Sequence, residues 1–303
     1  MAQAQARPAA HATPTRDPFG AKPIVSERRR ALRSFTRNRT AVVGVVLILA
    51  IVLIAVFAPV VAPYDPLAQS VRDRLQPPSA AHPLGLDDKG RDILSRVIYG
   101  ARIALQVGIF SVVLGGAAGT AIGIVAGYVG GKVESALMRL TDVLLAFPDL
   151  ITGLLVLAVL GPGLWKMIVA IALTIAPRFA RIAYGPTLTI AKKEYVEAAR
   201  SIGVRDGRIL TRHILPNIAG DLLVFASLWT ASAIRLEASL SFIGLGVPLP
   251  TPTWGQMIRE GVVHLTVVPL YSLGPGIALL ITVLAFNLVG DGFRDALDPK
   301  SRT

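Results

Sequence analysis

Long apolar runs separated by short polar segments dominate this chain of 303 residues. A helix that crosses the hydrocarbon core of a bilayer needs about 20 apolar residues, at about 1.5 Å of rise each. Six stretches meet this requirement, and they cover residues 40–62, 102–128, 138–160, 166–187, 217–240 and 270–290. The pattern therefore predicts an all-α, polytopic membrane protein with six transmembrane helices.

The same pattern divides the chain into three parts. Residues 1–39 form a basic cytosolic tail, which we expect to be disordered because Ala, Pro, Gln and Thr are frequent in its first 27 positions. Residues 40–101 hold the first membrane helix and an external loop. Residues 102–303 hold a five-helix core with a cytosolic loop at 192–216.

Charge placement predicts the orientation of these helices. The net charge is +12, and 22 of the 31 Lys and Arg residues fall in segments that six crossings place on the side of the termini. Positive residues are retained on the cytoplasmic side of a membrane, so both termini are expected to be cytosolic. The basic residues lie between apolar runs and form no folded basic domain, which argues against a nucleic-acid partner.

Composition also limits the chemistry that this chain can carry out. There are no cysteines, and the four histidines are scattered without the spacing of metal ligands. No phosphate-binding G-x-x-x-x-G-K-[ST] motif occurs, so the chain carries no such nucleotide site of its own. We expect no catalytic residue, no metal site and no cofactor in this chain.

The cytosolic loop contains a short helix with an apolar stripe. Its members recur at the i, i+3, i+4, i+7 spacing of one helix face, and they are Tyr195, Ala198, Ala199 and Ile202. Gly203 stands where a helix end favours a left-handed residue. Such a stripe either lies on lipid headgroups or docks into a groove of a partner protein.

The pattern Glu197-Ala198-Ala199, then Gly203 and, after further residues, Leu215-Pro216 resembles the cytoplasmic signature loop of binding-protein-dependent ABC importer permeases. The resemblance implies the type I ABC importer permease fold and a coupling helix held in a cleft of an ATP-binding subunit. The residues expected to make that contact are Tyr195, Glu197, Ala198, Ala199, Arg200, Ile202, Gly203, Leu215 and Pro216.

Further motifs in the expected order narrow the resemblance to one branch. The segments 82–102, 213–217, 240–255 and 284–299 resemble those of the dipeptide/oligopeptide/nickel permeases. With its additional N-terminal helix and outer loop, the chain is similar to the second, C-type permease of such transporters.

This resemblance implies the machinery around the chain. It implies a homologous second permease, two ATP-binding subunits that bind ATP and magnesium, an external solute-binding protein, and a bacterial inner membrane. The transported solutes would be dipeptides or oligopeptides, moved by alternating access; nickel chelates, glutathione or another small solute are the alternatives. A stand-alone secondary transporter is the rival class, but it would place more charges near the midplane.

Two charges, Arg235 and Glu237, lie in or near the outer end of the fifth apolar run. Charged residues at membrane depth either line a pathway or pair structurally, and these two are candidates for the translocation pathway. Two residues apart on a helix, they do not face each other, so each is expected to have another partner.

Three other features carry expectations about packing. Glycines at 115, 119, 123 and 127 form a stripe for close helix packing, either inside one subunit or on a sliding face toward a partner. Pro148 is expected to kink the third span. Trp165 and Trp254 are expected to be interfacial anchors.

Overall fold

The computed structural model describes residues 35–36 and 38–297. The predicted N-terminal tail, apart from its last few positions, and residues 298–303 lie outside the described residues. The described part is helical, with one isolated bridge between Leu86 and Asp92, and it contains no named strand. The predicted all-α fold is confirmed.

The helices are numbered here in chain order. They are α1 (Arg39–Val56), α2 (Ala58–Val61), α3 (Ile93–Val129), α4 (Gly131–Leu145), α5 (Asp149–Leu160), α6 (Leu164–Ile190), α7 (Glu194–Ser201), α8 (Asp206–Ile209), α9 (Leu215–Ile243), α10 (Trp254–Val262) and α11 (Leu270–Leu297). A 3₁₀ turn covers Val71–Asp73, and a π-helical turn, Leu210–Ile214, joins α8 to α9.

Five of these helices are long and apolar enough to cross a membrane: α1, α3, α6, α8–α9 together, and α11. The predicted third span is the bent pair α4 and α5, whose axes differ by 96°. Counting that pair as one span gives the predicted six. Pro148 precedes α5 with an extended ψ of 138°, so the expected kink is present as a break in the helix.

The second membrane helix begins nine residues before the predicted start at 102. The Asp92 carboxylate caps α3 by accepting the backbone N–H of Ser95 at 2.7 Å. Arg96 interrupts the apolar run, yet it is fully buried, with Nε 3.5 Å from the Asp87 carboxylate. The helix therefore extends beyond the predicted apolar run, because a charge that is paired inside the protein can lie within a helix.

The glycine stripe of α3 lies against the backbone of α6. A Cβ placed on Gly119 would lie 2.0 Å from the carbonyl oxygen of Ala176, and one on Gly123 would lie 2.2 Å from that of Ala180. The four glycines face four residues of α6 that are also spaced by four: Ala172, Ala176, Ala180 and Tyr184. Close packing inside one chain is confirmed, and α3 and α6 form the most extensive helix pair of the described fold.

The N-terminal helix α1 packs on the last helix, α11. A Cβ on Gly44 would lie 2.9 Å from the carbonyl oxygen of Ala285. At the helix start, the Asn38 side-chain amide donates to the Asp295 carboxylate at 3.0 Å. The additional N-terminal span is therefore attached to the core of the molecule.

Trp254 is a core residue. Its side chain is 2 % exposed, and its indole N–H donates to the Val97 carbonyl oxygen at 2.9 Å. The expectation of an interfacial anchor is wrong here, because α10 folds back onto α3 and the Trp254 ring is buried against that helix. Trp165 is 66 % exposed, as an anchor requires.

Candidate functional site

The loop predicted to be functional is an ordered unit of two short helices, α7 and α8. α7 ends in a Schellman motif, in which Gly203 has a φ of +79°. The N–H of Val204 donates to the Ala199 carbonyl at 3.1 Å, and the N–H of Gly203 donates to that of Arg200 at 2.9 Å. The predicted left-handed glycine is confirmed, and it reverses the chain between α7 and α8.

The inner face of this loop is bound to the membrane helices by an apolar cluster. Val196, Ile209 and Ile214 are fully buried, and Ala199 is 9 % exposed. Their partners in the cluster lie on α3, α6 and α9 and are Ile124, Ala183, Ile190 and Ile218. Because the loop packs on three helices at once, a displacement of the loop acts on all three.

The outer face of α7 is left uncovered by the described chain. Ile202 is 81 % exposed and Tyr195 is 43 % exposed, and Ala198 and Glu197 are exposed beside them. Ala199 is the member of the predicted stripe that turns inward. The helix is therefore apolar on two sides, one joined to the bundle and one free for contact.

A tyrosine that the sequence did not single out connects the loop to α3. The Tyr128 hydroxyl donates to the Asp206 carboxylate at 2.5 Å and accepts from Arg200 Nε at 3.2 Å. The Arg200 guanidinium also lies over the Tyr128 ring, 4.3 Å from its centroid. Arg200 therefore faces Tyr128, and within the described residues it forms no ion pair with Glu197.

Tyr128 was missed because nothing near it in the sequence marks it. It follows Gly127 at the end of an apolar run, 72 residues before Arg200. The carboxylate of Glu197, by contrast, has no ion pair within residues 38–297. It is exposed and free to meet a cation from outside the chain.

Leu215 and Pro216 occupy the first turn of α9, after the π-helical turn. A backbone N–H is not needed for the helix at this position, so the proline begins α9 without loss of a hydrogen bond. Leu215 is 38 % exposed. These two residues lie at the junction between the π-helical turn and α9.

The two candidate pathway charges lie in different surroundings. Arg235 is exposed and lines a cavity with Asp149 and Trp229. Glu237 is 1 % exposed and accepts from the Ser241 hydroxyl at 2.7 Å. The structure therefore places Glu237 inside the packed chain, whereas Arg235 is exposed at the cavity.

The part of the chain that the structure describes contains no group of three or more His, Cys, Asp or Glu side chains placed to hold a metal ion. The loop has an exposed apolar side on α7, a helix end closed by Gly203, and an opposite side buried against the membrane helices. Its geometry suits the transmission of force between a partner and the bundle.

Two protein-family models match the chain. Residues 119–303 match the family described as binding-protein-dependent transport system inner membrane component. Residues 26–78 match the N-terminal TM domain of oligopeptide transport permease C.

Curated relatives cover nearly the whole chain. It is 38 % identical over 296 residues to the dipeptide transport system permease protein DppC of Alkalihalophilus pseudofirmus, covering 98 % of this chain and 96 % of that one. It is 43 % identical over 283 residues to the glutathione transport system permease protein GsiD of Pectobacterium atrosepticum, covering 93 % and 94 %.

The fold also matches a solved structure. Inward-facing conformations of the MetNI methionine ABC transporter include a chain that superposes with a TM-score of 0.57 at 18 % identity, covering 68 % of this chain and 98 % of that one. At this identity the similarity shows a shared fold.

Proposed function

Since this chain belongs to the binding-protein-dependent permeases of ABC importers, in the peptide and nickel branch, we propose that it moves dipeptides or oligopeptides delivered by an external solute-binding protein. A permease of this family is a multi-pass membrane subunit and not itself an enzyme, and it works with ATPase partners. The proposed assembly adds a homologous second permease and two ATP-binding subunits, which bind ATP and magnesium. Both termini would be cytosolic, in a bacterial inner membrane.

The observation that carries the mechanism is the two-sided packing of α7. One side is buried in the apolar cluster under α3, α6 and α9, and the other presents Ile202 and Tyr195 to the outside. Burial of exposed apolar side chains in a partner's groove is favourable at about 25 cal/mol per Å². We propose that an ATP-binding subunit covers this outer side and that its closure, on ATP binding, moves the loop and reorients the bundle.

The contact residues of this proposal fall into two groups. The outer group touches the ATPase directly and consists of Tyr195, Glu197, Ala198 and Ile202. The second group shapes or holds the loop from behind and consists of Ala199, Arg200, Gly203, Leu215 and Pro216. The pathway would open alternately to the outside and to the inside. ATP and solute would each favour one of these two states, outward-open or inward-open.

Charge reversal of Glu197 tests the docking surface. In the assembled transporter, Glu197→Lys should weaken association with the ATP-binding subunits by about tenfold or more, on the scale measured for interfacial charges. The measurement is copurification of the ATPases, with solute-stimulated ATP hydrolysis as the second readout. Asp65→Lys, an exposed carboxylate of the outer loop, is the matched control and should leave copurification unchanged. Unaltered ATPase association in Glu197→Lys would remove Glu197 from the interface.

Glutathione is the second candidate solute, because a glutathione permease is the relative with 43 % identity. Uptake into proteoliposomes that hold the complete transporter and its binding protein distinguishes the two. Labelled dipeptide uptake that excess unlabelled dipeptide abolishes and glutathione does not would support the peptide proposal. The reverse competition would support glutathione, and competition by neither would point to a nickel chelate or another small solute.

A further inference from the structure

A small cavity with both polar and apolar lining lies between α5, α6 and α9, within the membrane-spanning part of the chain. Its volume is about 200 Å³, and its lining includes Asp149, Ile175, Trp229, Ser232, Arg235 and Ser239. Ionisable side chains inside membrane helices are costly, and they face a cavity or pair with one another. Both arrangements occur here: Asp149 is paired with Arg178, and Arg235 faces the cavity.

One arginine at the cavity is already neutralised. The Arg178 guanidinium of α6 forms an ion pair with the Asp149 carboxylate at the start of α5. The same guanidinium lies 4.7 Å from the centre of the Trp229 ring. The ion pair leaves no net charge at this side of the cavity, and the stacking holds the guanidinium in place.

The second arginine keeps its charge. Within the described ranges Arg235 has no ion pair; its one hydrogen bond is a long one of 3.4 Å to the Ser232 hydroxyl. Of the two charged residues that line the cavity, Asp149 is paired with Arg178 and Arg235 is not, which leaves an excess of one positive charge. An anion that enters the cavity would meet a planar donor group whose geometry matches a carboxylate.

We propose that Arg235 binds the carboxylate of a passing solute in this cavity, and that the Trp229 side takes up the adjacent apolar part. The proposal rests on the function proposed above and names the solute class as carboxylate-bearing, whether a peptide C-terminus or glutathione. A cavity of about 200 Å³ is smaller than the roughly 300 Å³ or more of sites that enclose a drug-sized ligand. The cavity therefore holds one end of the solute.

The test is a binding measurement on the assembled membrane complex, without the binding protein, because that protein selects solutes by itself. Ligand-observed NMR would compare alanyl-alanine with its C-terminal amide, which lacks the negative charge. In the wild-type complex the free acid should bind about tenfold or more tightly than the amide, as expected for a charge-assisted pair.

Substitution of Arg235 should remove this preference. Arg235→Gln should lower free-acid binding to the level of the amide, and Arg235→Lys should keep part of the preference because it retains the charge but not the planar fork. Arg72→Gln, an exposed arginine of the outer loop, is the matched control and should bind both probes as the wild type does.

Three outcomes would overturn the proposal: equal binding of acid and amide by the wild-type complex, unchanged free-acid binding in Arg235→Gln, or loss of the second permease from the complex in both Arg235 variants. The last result would assign Arg235 to a permanent pair with that subunit. Failure of the complete transporter to import any peptide would instead contradict the proposed peptide function. The binding comparison of acid and amide tests the Arg235 proposal independently of that result.

Discussion

Gly203 shows how one backbone conformation shapes the loop formed by α7 and α8. Its φ of +79° closes the Schellman motif, and a Cβ there would meet no atom within 4 Å. A substitution at this position therefore acts through the backbone and not through a collision. A substitution of Gly203 therefore tests the left-handed backbone conformation alone, without a steric clash.

Gly203→Ala should destabilise the loop by about 1–2 kcal/mol, because an L-residue pays this cost in the left-handed region. Gly207→Ala is the control: its Cβ also meets open space, but the residue is helical, so the change should be neutral or stabilising by up to about 1 kcal/mol. Hydrogen exchange of residues 194–213 is the measurement. Equal protection in the two variants would show that the left-handed turn carries no strain.

Tyr128 should hold the loop through its hydroxyl group. Tyr128→Phe keeps the ring under Arg200 but removes the bonds to Asp206 and Arg200, at a cost of about 1–3 kcal/mol since both partners are charged. Hydrogen exchange in α7 and α8 should rise, and solute-stimulated ATP hydrolysis in the complete transporter should fall.

Tyr99→Phe provides the control for this prediction. Tyr99 also lies beneath an arginine, Arg102, with 5.9 Å from the guanidinium carbon to the ring centroid. Its hydroxyl makes no hydrogen bond within the described part of the chain, so its removal should leave loop exchange unchanged. A loop equally protected in both variants would show that the Tyr128 hydroxyl does not hold it.

At the scale of elements, the contact between α3 and α6 determines how the bundle packs. Small residues allow helix backbones to approach closely in lipid, where the hydrophobic effect does not bring helices together. The glycine stripe of α3 brings its backbone against the carbonyl groups of α6. Both helices also contribute to the apolar cluster beneath the loop of α7 and α8, so separating the two helices would disturb that loop.

Gly119→Ala should force these two helices apart, because the added Cβ would lie 2.0 Å from the Ala176 carbonyl oxygen. Overpacking of this kind costs about 1–3 kcal/mol. Gly185→Ala, on α6 with nothing within 4 Å of its Cβ, should be tolerated. Thermal unfolding of the purified complex compares them, and a Gly119→Ala complex as stable as the control would contradict the close packing.

The apolar runs predicted the membrane helices well and their ends less well. α3 starts at Ile93, nine residues before the predicted run, where Asp92 caps it, and Arg96 within this extension is paired with Asp87. The third apolar run forms two helices, α4 and α5, with a break between them. Pro148 predicted the break, but the sequence did not predict the 96° angle between the two helices. Helix existence follows from local composition, whereas helix ends and bends depend on capping and on neighbouring elements.

At the scale of the whole molecule, the orientation in the membrane remains a prediction from charge. Arg178 and Arg181 are two of the 22 basic residues counted on the side of the termini, but they lie within α6 and pair with Asp149 and Asp142. The excess of basic residues in the segments predicted to be cytosolic persists without these two.

The absence of cysteine from the sequence makes the orientation directly testable. A membrane-impermeant maleimide added to intact spheroplasts should label Thr266→Cys, in the outer loop, and leave Ser201→Cys, in the coupling loop, unlabelled. Both positions are exposed in the structure. Inside-out vesicles should give the reverse pattern, and labelling after solubilisation in detergent controls for reactivity. Labelling of Ser201→Cys from outside would invert the topology.

The sequence by itself determined the class of this protein, its apolar spans, the glycine at the turn of the loop and the resemblance to ABC importer permeases. These follow from local composition and short-range spacing, which folding does not alter. Only the tertiary structure decided which side of α7 is free, that Tyr128 is bonded to Arg200 and Asp206 of the loop, and that Arg235 shares a cavity with Asp149 while Glu237 is buried. Those facts depend on contacts between residues tens to hundreds of positions apart, and burial and pairing arise only when the helices pack.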